Sequence, residues 1–287
     1  MSGTVGALLD ALAERLAGPG MPPARAEARD LIAAVLNQPR FWPTAHRDAA
    51  LPAETLTRIE TAAARRARGM PLQYAVGHAA FRHLTLQVDP RVLIPRPETE
   101  LLVDLVLAAT DGGRGTVVDV GTGSGAIALA LASEGTFDAV HAVDVSADAL
   151  AVARTNLTAI PADRRDRVTF HHGSLLAPLA GRRVETVVSN PPYISPAEAA
   201  ALPRLVHDWE PALALFADAE GMAVIRALVP QAADRLVPGG LLALEVDARR
   251  ADLAAAAVLD DGRFTAVETR LDLTGRPRFV VARRQEM

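Results

Sequence analysis

The chain has 287 residues, a formal net charge of −4, and 30 basic residues, all of which are arginine because lysine is absent; cysteine is absent as well. These two absences exclude Schiff-base catalysis, a P-loop lysine, thiolate nucleophiles, disulfides and cysteine-ligated metal sites. Half of the residues are hydrophobic, which is enough for a globular protein of about two domains.

The charge is distributed unevenly along the chain. The first 91 residues contain 11 arginines and 8 acidic residues, a balance near +3, and the remainder contains 19 and 26, a balance near −7. The positive front suits an acidic partner but lacks the concentrated basic patch of a nucleic-acid binder. The longest uncharged stretch, residues 120–133, is shorter than the roughly 20 residues that cross a bilayer. The N-terminus has no basic region of a secretory signal, so we expect a cytoplasmic protein without a membrane span.

The first third of the chain is predicted to be helical. Apolar residues recur at helical spacing from Thr4 to about Arg68, and prolines separate the segments. This pattern predicts a small helical domain, which we assign to residues 1–76. At its end, Arg65, Arg66 and Arg68 form either a contact patch for a partner or a solvated helix end whose cations complement the helix dipole.

A connector is predicted at residues 77–95. Residues 81–88 alternate in the strand period, which indicates a hairpin or an extended segment. Prolines on both sides of Arg96 hold the backbone extended, and a helix is predicted to begin at Glu98 or Thr99.

From residue 96 to residue 287, strand and helix patterns alternate. This order predicts an α/β fold, namely a Rossmann-like domain with a mostly parallel sheet that binds ligands at the carboxyl ends of its strands. The predicted strands are 116–120, 140–143, 168–170, 184–189, 240–246, 264–269 and 278–282. The helices predicted between them are 125–132, 147–157, 221–236 and 248–259.

A glycine-rich loop at residues 119–125 directly follows the first of these strands and opens a helix. Its glycines permit a sharp turn and close approach to a ligand, and the helix N-terminus offers free N–H groups. Gly121, Gly123 and Ala126 also satisfy the loose dinucleotide fingerprint. A carboxylate at Asp119 would repel a pyrophosphate, whereas it suits a ligand that carries an ammonium and a sulfonium group.

Asp144 ends the next predicted strand, about 20 residues after the glycines. A carboxylate at this position can accept hydrogen bonds from both hydroxyl groups of a ribose, which supports a nucleoside-containing ligand of either cofactor class. The competing interpretation is that Asp144 caps the following helix.

The tetrapeptide Asn190-Pro191-Pro192-Tyr193 follows the fourth predicted strand. Its prolines fix φ and leave the preceding carbonyl groups rigid and free. The Asn190 side-chain oxygen and the Pro191 carbonyl can accept both hydrogens of a planar NH2 group, and Tyr193 can pack over its plane. Such a site would aim a weakly nucleophilic amide nitrogen at an electrophilic methyl group through orientation and fixed dipoles. The alternative is an ordinary turn after a strand.

With these motifs, the chain resembles class I S-adenosylmethionine-dependent methyltransferases, and specifically the peptide chain release factor glutamine methyltransferases of the HemK family. The resemblance covers nearly the whole chain and includes residues 93–100 and 209–211. It implies methyl transfer from S-adenosyl-L-methionine to the side-chain nitrogen of the glutamine in the Gly-Gly-Gln motif of class I release factors. It also implies that the helical domain docks this protein substrate, with no direct contact to nucleic acid or membrane.

The same resemblance implies the site residues. Those implied for the cofactor are Gly121, Thr122, Gly123, Ser124, Gly125, Asp144, Leu175 and Asn190. Those implied for the substrate are Asn190, Pro191, Pro192 and Tyr193, of which Asn190, Pro191 and Tyr193 are implied in catalysis. The sequence departs from the family pattern at Ser174, where an acid usually binds the adenine amino group, and at residues 245–248, where a glycine-bearing turn is usual.

Three further features leave alternatives open. His171 and His172 are adjacent strand residues that face opposite sides, so we expect no shared metal and predict no metal site. Residues 194–220 form either a lid or an ordinary packed loop. The tetrapeptide also suits an N6-adenine or N4-cytosine methyltransferase, although the acidic second part of the chain disfavours that function. A non-catalytic cofactor-binding module is disfavoured because residues 190–193 are intact.

Overall fold

The computed structural model describes residues 4–16 and 23–286, which divide into two compact units. The first unit contains the described residues up to His78 together with residues 204–209, and the second contains residues 79–203 and 210–286. Residues 1–3, 17–22 and 287 of the predicted domains lie outside the described part. Within that part, no helix is long and apolar enough to cross a membrane.

The first unit is built from amphipathic helices. Its helices before the connector are α1 (Val5–Arg15), α2 (Ala24–Leu36), α3 (Trp42–Ala45), α4 (Ala53–Ala67) and α5 (Leu72–Val76). Leu12, Leu31 and Ile59 are fully buried where α1, α2 and α4 pack together. Helices this short gain their stability from such packing because isolated segments of this length are marginal in water. The predicted helical front is therefore observed.

Arg66 in α4 differs from the prediction of an exposed contact patch. Its side chain is 3% exposed, its Nε donates to Glu27, and its Nη1 donates to the Met70 carbonyl oxygen at 3.1 Å. A buried guanidinium requires such partners, because an unpaired buried charge is costly. Arg66 is therefore an internal ion-pair residue that fits neither the predicted contact patch nor the predicted solvated helix end, whereas Arg65 and Arg68 are exposed.

The second unit contains a hairpin followed by an α/β domain. The hairpin consists of β1 (His78–Phe81) and β2 (Leu84–Gln87). The strands of the main sheet are β3 (Thr116–Val120), β4 (Ala139–Asp144), β5 (Val168–His172), β6 (Val184–Ser189), β7 (Leu236–Glu245), β8 (Phe264–Leu271) and β9 (Pro277–Arg284). The helices after the hairpin are α6 (Pro97–Ala109), α7 (Ala126–Glu134), α8 (Ala147–Asn156), α9 (Arg204–His207), α10 (Ala212–Leu215), α11 (Asp218–Gly221), α12 (Ala223–Arg235) and α13 (Ala251–Asp260). Of these, α9 belongs to the first unit.

The strand order in the main sheet is β5-β4-β3-β6-β7-β9-β8. Strands β5, β4, β3, β6 and β7 are parallel, and β9 runs antiparallel to both β7 and β8. From β3 the chain continues to β4 and β5 on one side of β3, and it then returns to β6 on the other side of β3. In α/β sheets, a crevice opens at the carboxyl ends of the strands where the order reverses in this way. This arrangement confirms the predicted Rossmann-like fold.

Both faces of the sheet are covered. Successive side chains in a strand point to opposite faces, so Val117 packs with α6 and α7 while Val118 packs with α12 and α13. In β7, Ala243 lies in the first of these cores and Leu242 in the second. The apolar runs that predicted the central strands β3 and β6 are continuous because both faces of these strands are mostly buried.

The segment 81–88, which alternates like a single strand, contains the turn of the hairpin. Arg82 has a φ of 52°, and its side chain explains how this left-handed conformation is held. The guanidinium of Arg82 donates to both carboxylate oxygens of Glu134 at 2.6 Å. The backbone N–H of Arg82 donates to the Glu100 carboxylate at 2.9 Å. These partners are distant in sequence, so the local pattern does not reveal the turn.

Candidate active site

A cavity of about 460 Å³ lies at the carboxyl ends of the parallel strands in the second unit. Its size falls in the usual range for small-ligand sites, roughly 300–1,000 Å³. The predicted site residues that line it are Gly121, Gly123, Asp144, Leu175, Asn190, Pro191 and Pro192. The glycine loop and the tetrapeptide therefore meet at one site, because β3 and β6 are neighbours and Val120 pairs with Ser189.

The glycines of the loop have two different roles. Gly121 and Gly123 have φ angles of 76° and 55°, and a Cβ at either position would meet no other atom within 4 Å. These residues therefore form a cradle in which a ligand can approach the backbone directly. Gly125 begins α7 and faces the protein interior, where a Cβ would lie 3.1 Å from Leu129 Cδ1. Its small size allows close helix packing, and Gly125 does not line the cavity, so its contact with the cofactor stays a prediction.

Asp119 is fully buried at the base of the loop. Its Oδ2 accepts hydrogen bonds from Thr122 Oγ1 at 2.6 Å and from the Ala128 N–H at 3.1 Å, whereas Oδ1 has no partner among the described residues. Burial raises the pKa of Asp119 to about 7, although the two hydrogen bonds oppose this shift. The side chain of Thr122 is thus used within the loop. Ser124 is also buried, and its carbonyl oxygen accepts from Asn156 Nδ2 at 2.9 Å.

Asp144, the last residue of β4, connects its strand to the glycine loop. Its Oδ2 accepts from the Gly123 N–H and its Oδ1 from the Ser146 N–H, both at 2.8 Å. Burial raises the pKa of Asp144, and the backbone hydrogen bonds oppose the change. Ser146 caps α8 by accepting from the Ala149 N–H at 3.1 Å. The helix cap is therefore Ser146, and Asp144 remains available at the cavity wall.

Asn190 lies between the cavity and the polar interior behind it. It follows β6, whose last residue, Ser189, donates from Oγ to the Val120 carbonyl oxygen at 2.7 Å. Asn190 Nδ2 donates to Thr99 Oγ1 at 3.2 Å. No hydrogen-bond donor contacts its Oδ1 among the described residues, so this oxygen is the available acceptor end of the amide. Pro191 is buried beside it and also lines the cavity.

Tyr193 does not line the cofactor-sized cavity. Burial, with a smaller contribution from Glu245, raises the pKa of its hydroxyl group to about 12, so the phenol stays neutral. The chain after it is fixed by backbone hydrogen bonds, in which Ile194 N donates to Leu215 O at 3.0 Å and Ala217 N donates to Ile194 O at 2.8 Å. The tetrapeptide therefore contributes its first three residues to this cavity and holds Tyr193 outside it.

Leu175 and Ser174 form part of the wall after β5. Leu175 has a φ of 50°, a conformation that costs a side-chain-bearing residue about 1–2 kcal/mol. Leu175 lies in the wall of the cavity although its backbone conformation is strained. Ser174 places a hydroxyl group in the same wall, at the position where the family pattern has an acid.

The cavity also contains residues that the sequence reasoning missed. They are Pro90, Arg91, Val92 and Leu93 from the connector, Asp148 from α8, and Pro211, Leu213 and Ala214 from the segment before α11. The proline-flanked motif marks the connector as an extended segment. The sequence around it, however, does not reveal that the connector lines the cavity. Residues 194–220, the predicted lid or loop, contain the short helices α9, α10 and α11.

His171 contacts a second histidine. Its Nε2 lies 3.0 Å from His141 Nδ1, while His172 Nε2 lies 3.0 Å from the Val145 carbonyl oxygen. Burial lowers the pKa of both members of the pair, that of His141 to about 4. Within residues 4–16 and 23–286, no group of three or more potential metal ligands is present.

Comparisons with known proteins relate the chain to methyltransferases. Residues 7–77 match the PrmC N-terminal domain family, and residues 97–214 match the Methyltransferase small domain family. The release factor glutamine methyltransferase of Koribacter versatilis is 39% identical over 277 residues, 96% of each chain. That of Deinococcus radiodurans is 42% identical over 281 residues, 96% of this chain and 97% of its own. A solved methyltransferase from Pyrococcus furiosus, 17% identical, shares the fold with a TM-score of 0.53 over 82% of this chain and 100% of its own.

Proposed function

Because this chain belongs to the release factor glutamine methyltransferase family, we infer that it transfers a methyl group from S-adenosylmethionine to the side-chain amide of a glutamine in a peptide chain release factor. We propose the Gly-Gly-Gln glutamine of class I release factors as the acceptor. The observation that carries the inference is the position of Asn190 in the wall of the glycine-loop cavity, with its Oδ1 free to accept a hydrogen bond.

The residues of the cavity fit the cofactor. Gly121 and Gly123 leave open space above the backbone, and Asp144 retains acceptor capacity on both oxygens after its backbone hydrogen bonds. In its ionised form, Asp119, whose Oδ1 has no partner among the described residues, would supply negative charge at the base of the loop for a ligand that bears an ammonium and a sulfonium. We propose that Leu175 packs against the adenine ring. When bound, S-adenosylmethionine supplies an electrophilic methyl group.

The tetrapeptide would orient the acceptor amide. Asn190 Oδ1 and the Pro191 carbonyl accept its two N–H bonds, Pro192 keeps this segment rigid, and Tyr193 packs over the amide plane. Two accepted hydrogen bonds increase negative charge on nitrogen and fix its direction, which lowers the barrier without a general base for the attack. The proton is lost afterwards from the strongly acidic methylated nitrogen.

We assign the substrate-docking role to residues 1–76, the connector role to residues 77–95, and the methyl transfer to residues 96–287. A protein substrate explains why a family member carries an additional helical domain, none of whose described residues lines the cofactor cavity. Release factors act on ribosomes, so we propose that the protein works in the cytoplasm.

The test is methyl transfer from labelled S-adenosylmethionine to an intact class I release factor. We expect labelling of the wild-type factor and none of a variant whose Gly-Gly-Gln glutamine is replaced by alanine. DNA and RNA substrates in parallel reactions distinguish the N6-adenine or N4-cytosine alternative. Labelling of nucleic acid with no signal on the release factor would reverse the assignment.

A further inference from the structure

We propose that Thr99 and Glu245 are positioning residues that fix the orientation of the Asn190 amide, so that its oxygen and not its nitrogen faces the acceptor substrate. This inference rests on the proposed function, because it concerns how Asn190 is prepared to hold the glutamine amide. It assigns a role to the buried threonine in the first turn of α6 and to the final residue of β7.

The three residues converge from separate elements. Thr99 lies in the first turn of α6, Asn190 directly follows β6, and Glu245 ends β7. Because Ser189 pairs with Leu244, Asn190 and Glu245 both come one residue after the last paired position of two neighbouring strands. Thr99 is 4% exposed and Glu245 is 1% exposed, so water is excluded from the polar groups behind Asn190.

The direction of the hydrogen bonds decides which end of the amide is free. The two ends of an asparagine amide have nearly the same shape, but one accepts and the other donates. Asn190 Nδ2 donates to Thr99 Oγ1 at 3.2 Å, so the threonine hydroxyl must act as the acceptor. A hydroxyl group can accept and donate at once, and here it requires a second partner that takes its proton.

Glu245 is that partner. The Thr99 side chain makes a hydrogen bond with the Glu245 carboxyl group, and an ionised carboxylate can only accept. The proton of Thr99 is thereby committed to Glu245, and its lone pairs are left for Asn190. Burial raises the pKa of Glu245 to about 7, and Glu98 adds to this shift, whereas the Thr99 hydrogen bond, Arg278 and Arg96 favour the charged form that accepts from Thr99.

A structural purpose alone does not explain this arrangement. Glu245 Oε2 is buried without a partner among the described residues, and leaving a charged oxygen unsatisfied costs free energy. A glutamate is therefore an expensive choice at this position if it only fills space. This cost is explained if a carboxylate acceptor is required to set the direction of the Asn190 amide.

The first experiment compares Thr99→Val with Thr99→Ser in the complete protein. Valine has nearly the shape of threonine but no acceptor, so the Asn190 amide can rotate and present its NH2 group. We expect Thr99→Val to lower kcat for release-factor methylation on the order of 10- to 100-fold. Thr99→Ser, which keeps the hydroxyl, should stay within about threefold of wild type.

A matched control is available on the same helix. Thr110 Oγ1 donates to the Val106 carbonyl oxygen at 2.6 Å at the other end of α6. Thr110→Val also removes one threonine hydroxyl and should leave kcat unchanged. The dissociation constant of S-adenosylmethionine, measured by calorimetry, should remain at the wild-type value in all three variants.

A double-mutant cycle shows whether Thr99 acts through Asn190. We expect Asn190→Ala alone to reduce kcat by roughly 100- to 1,000-fold. Adding Thr99→Val to Asn190→Ala should change the rate less than about twofold, because the amide that Thr99 orients is already absent. Fully multiplicative losses, or a Thr99→Val rate equal to wild type, would overturn the proposal.

A substitute variant and the activity of the wild-type enzyme distinguish a failure of this proposal from a failure of the proposed function. If Thr99→Val does not fold, Glu245→Met takes its place in the same cycle, because methionine has a similar length and carries no acceptor oxygen. A wild-type enzyme that does not methylate the release factor contradicts the proposed function itself. An active wild-type enzyme that is insensitive to both substitutions contradicts only the role of Thr99 and Glu245.

Discussion

Two carboxylates beside the glycine loop are held in different ways, and this difference has a measurable consequence. Asp144 accepts two backbone N–H bonds, one on each oxygen. Asp119 is fully buried and satisfies only Oδ2. The unsatisfied charge of Asp119 is costly in the ligand-free protein, but it becomes favourable when a cationic ligand occupies the site. We therefore expect Asp119 to reduce the stability of the ligand-free protein and to contribute to binding of the proposed cationic cofactor.

The pKa of Asp119 predicts how stability depends on pH. Burial raises this pKa from 3.8 to about 7, so between these values the folded state holds a proton that the unfolded state releases. The contribution of Asp119 to the free energy of unfolding consequently decreases as pH rises from the lower to the higher of these two pKa values. We expect Asp119→Asn to raise Tm relative to wild type more at pH 8 than at pH 5, by roughly several degrees.

Thermal unfolding of the ligand-free protein at both pH values checks this expectation. Asp166→Asn is the matched control because Asp166 is exposed, and it should shift Tm equally at the two pH values. Saturating S-adenosylmethionine should stabilise the wild type more than Asp119→Asn at pH 8. A gain from Asp119→Asn that is independent of pH would contradict the role given to its ionisation.

At the scale of elements, the tetrapeptide depends on the turn before α12. Gly221 has a φ of 84°, and a Cβ there would overlap the Tyr193 carbonyl oxygen and the Arg250 guanidinium. Arg250 Nε also donates to the Glu220 carbonyl oxygen at 2.7 Å. Gly221 thus permits the close approach of two chain segments that fixes Tyr193.

We expect Gly221→Ala to destabilise the protein by about 2–4 kcal/mol, which combines backbone strain with overlap. Gly262→Ala is the matched control, since its φ is 74° and no atom lies within 4 Å of the added Cβ. The control should cost only about 1 kcal/mol. Denaturant unfolding measures both values, and equal costs for the two variants would show that the contact with Tyr193 is unimportant.

The sequence predicts those elements whose signals are local. The order of strands and helices, the glycine loop and the tetrapeptide follow from periodicity and from residues adjacent in the chain. Sequence reasoning does not reveal the hydrogen bond between Asn190 and Thr99, because it joins residues 91 positions apart. The burial of Arg66 is missed for the same reason, since its partner Glu27 lies 39 positions away. Tertiary packing sets these contacts and local propensity carries no information about them.

At the scale of the whole molecule, the question is why a complete cofactor cavity is accompanied by a separate helical unit. Among the described residues, those that line the cavity all belong to the second unit, so the described part of the first unit is not required to form it. Two exposed arginines, Arg65 and Arg68, lie at the end of α4. If this unit docks the release factor, these cations should affect recognition of an intact protein but not of a short peptide.

We therefore expect the combined substitution Arg65→Glu and Arg68→Glu to raise KM for an intact release factor by about tenfold while leaving kcat nearly unchanged. Kinetics with a short peptide containing Gly-Gly-Gln should stay at the wild-type level, because the peptide reaches only the catalytic residues. Added salt should reduce the difference between wild type and variant, as screening weakens exposed charges.

The matched control reverses two arginines in the second unit, Arg114 and Arg182. Both are exposed. They precede β3 and β6 and so lie near the amino-terminal ends of these strands, whereas the cavity lies at the carboxyl ends. This control changes net charge equally, so an equal rise in KM would mean that total charge, and not the end of α4, governs association. A selective rise for the α4 variant on the intact factor, absent with the peptide, would place substrate recognition on the helical unit and leave the chemistry to the second unit.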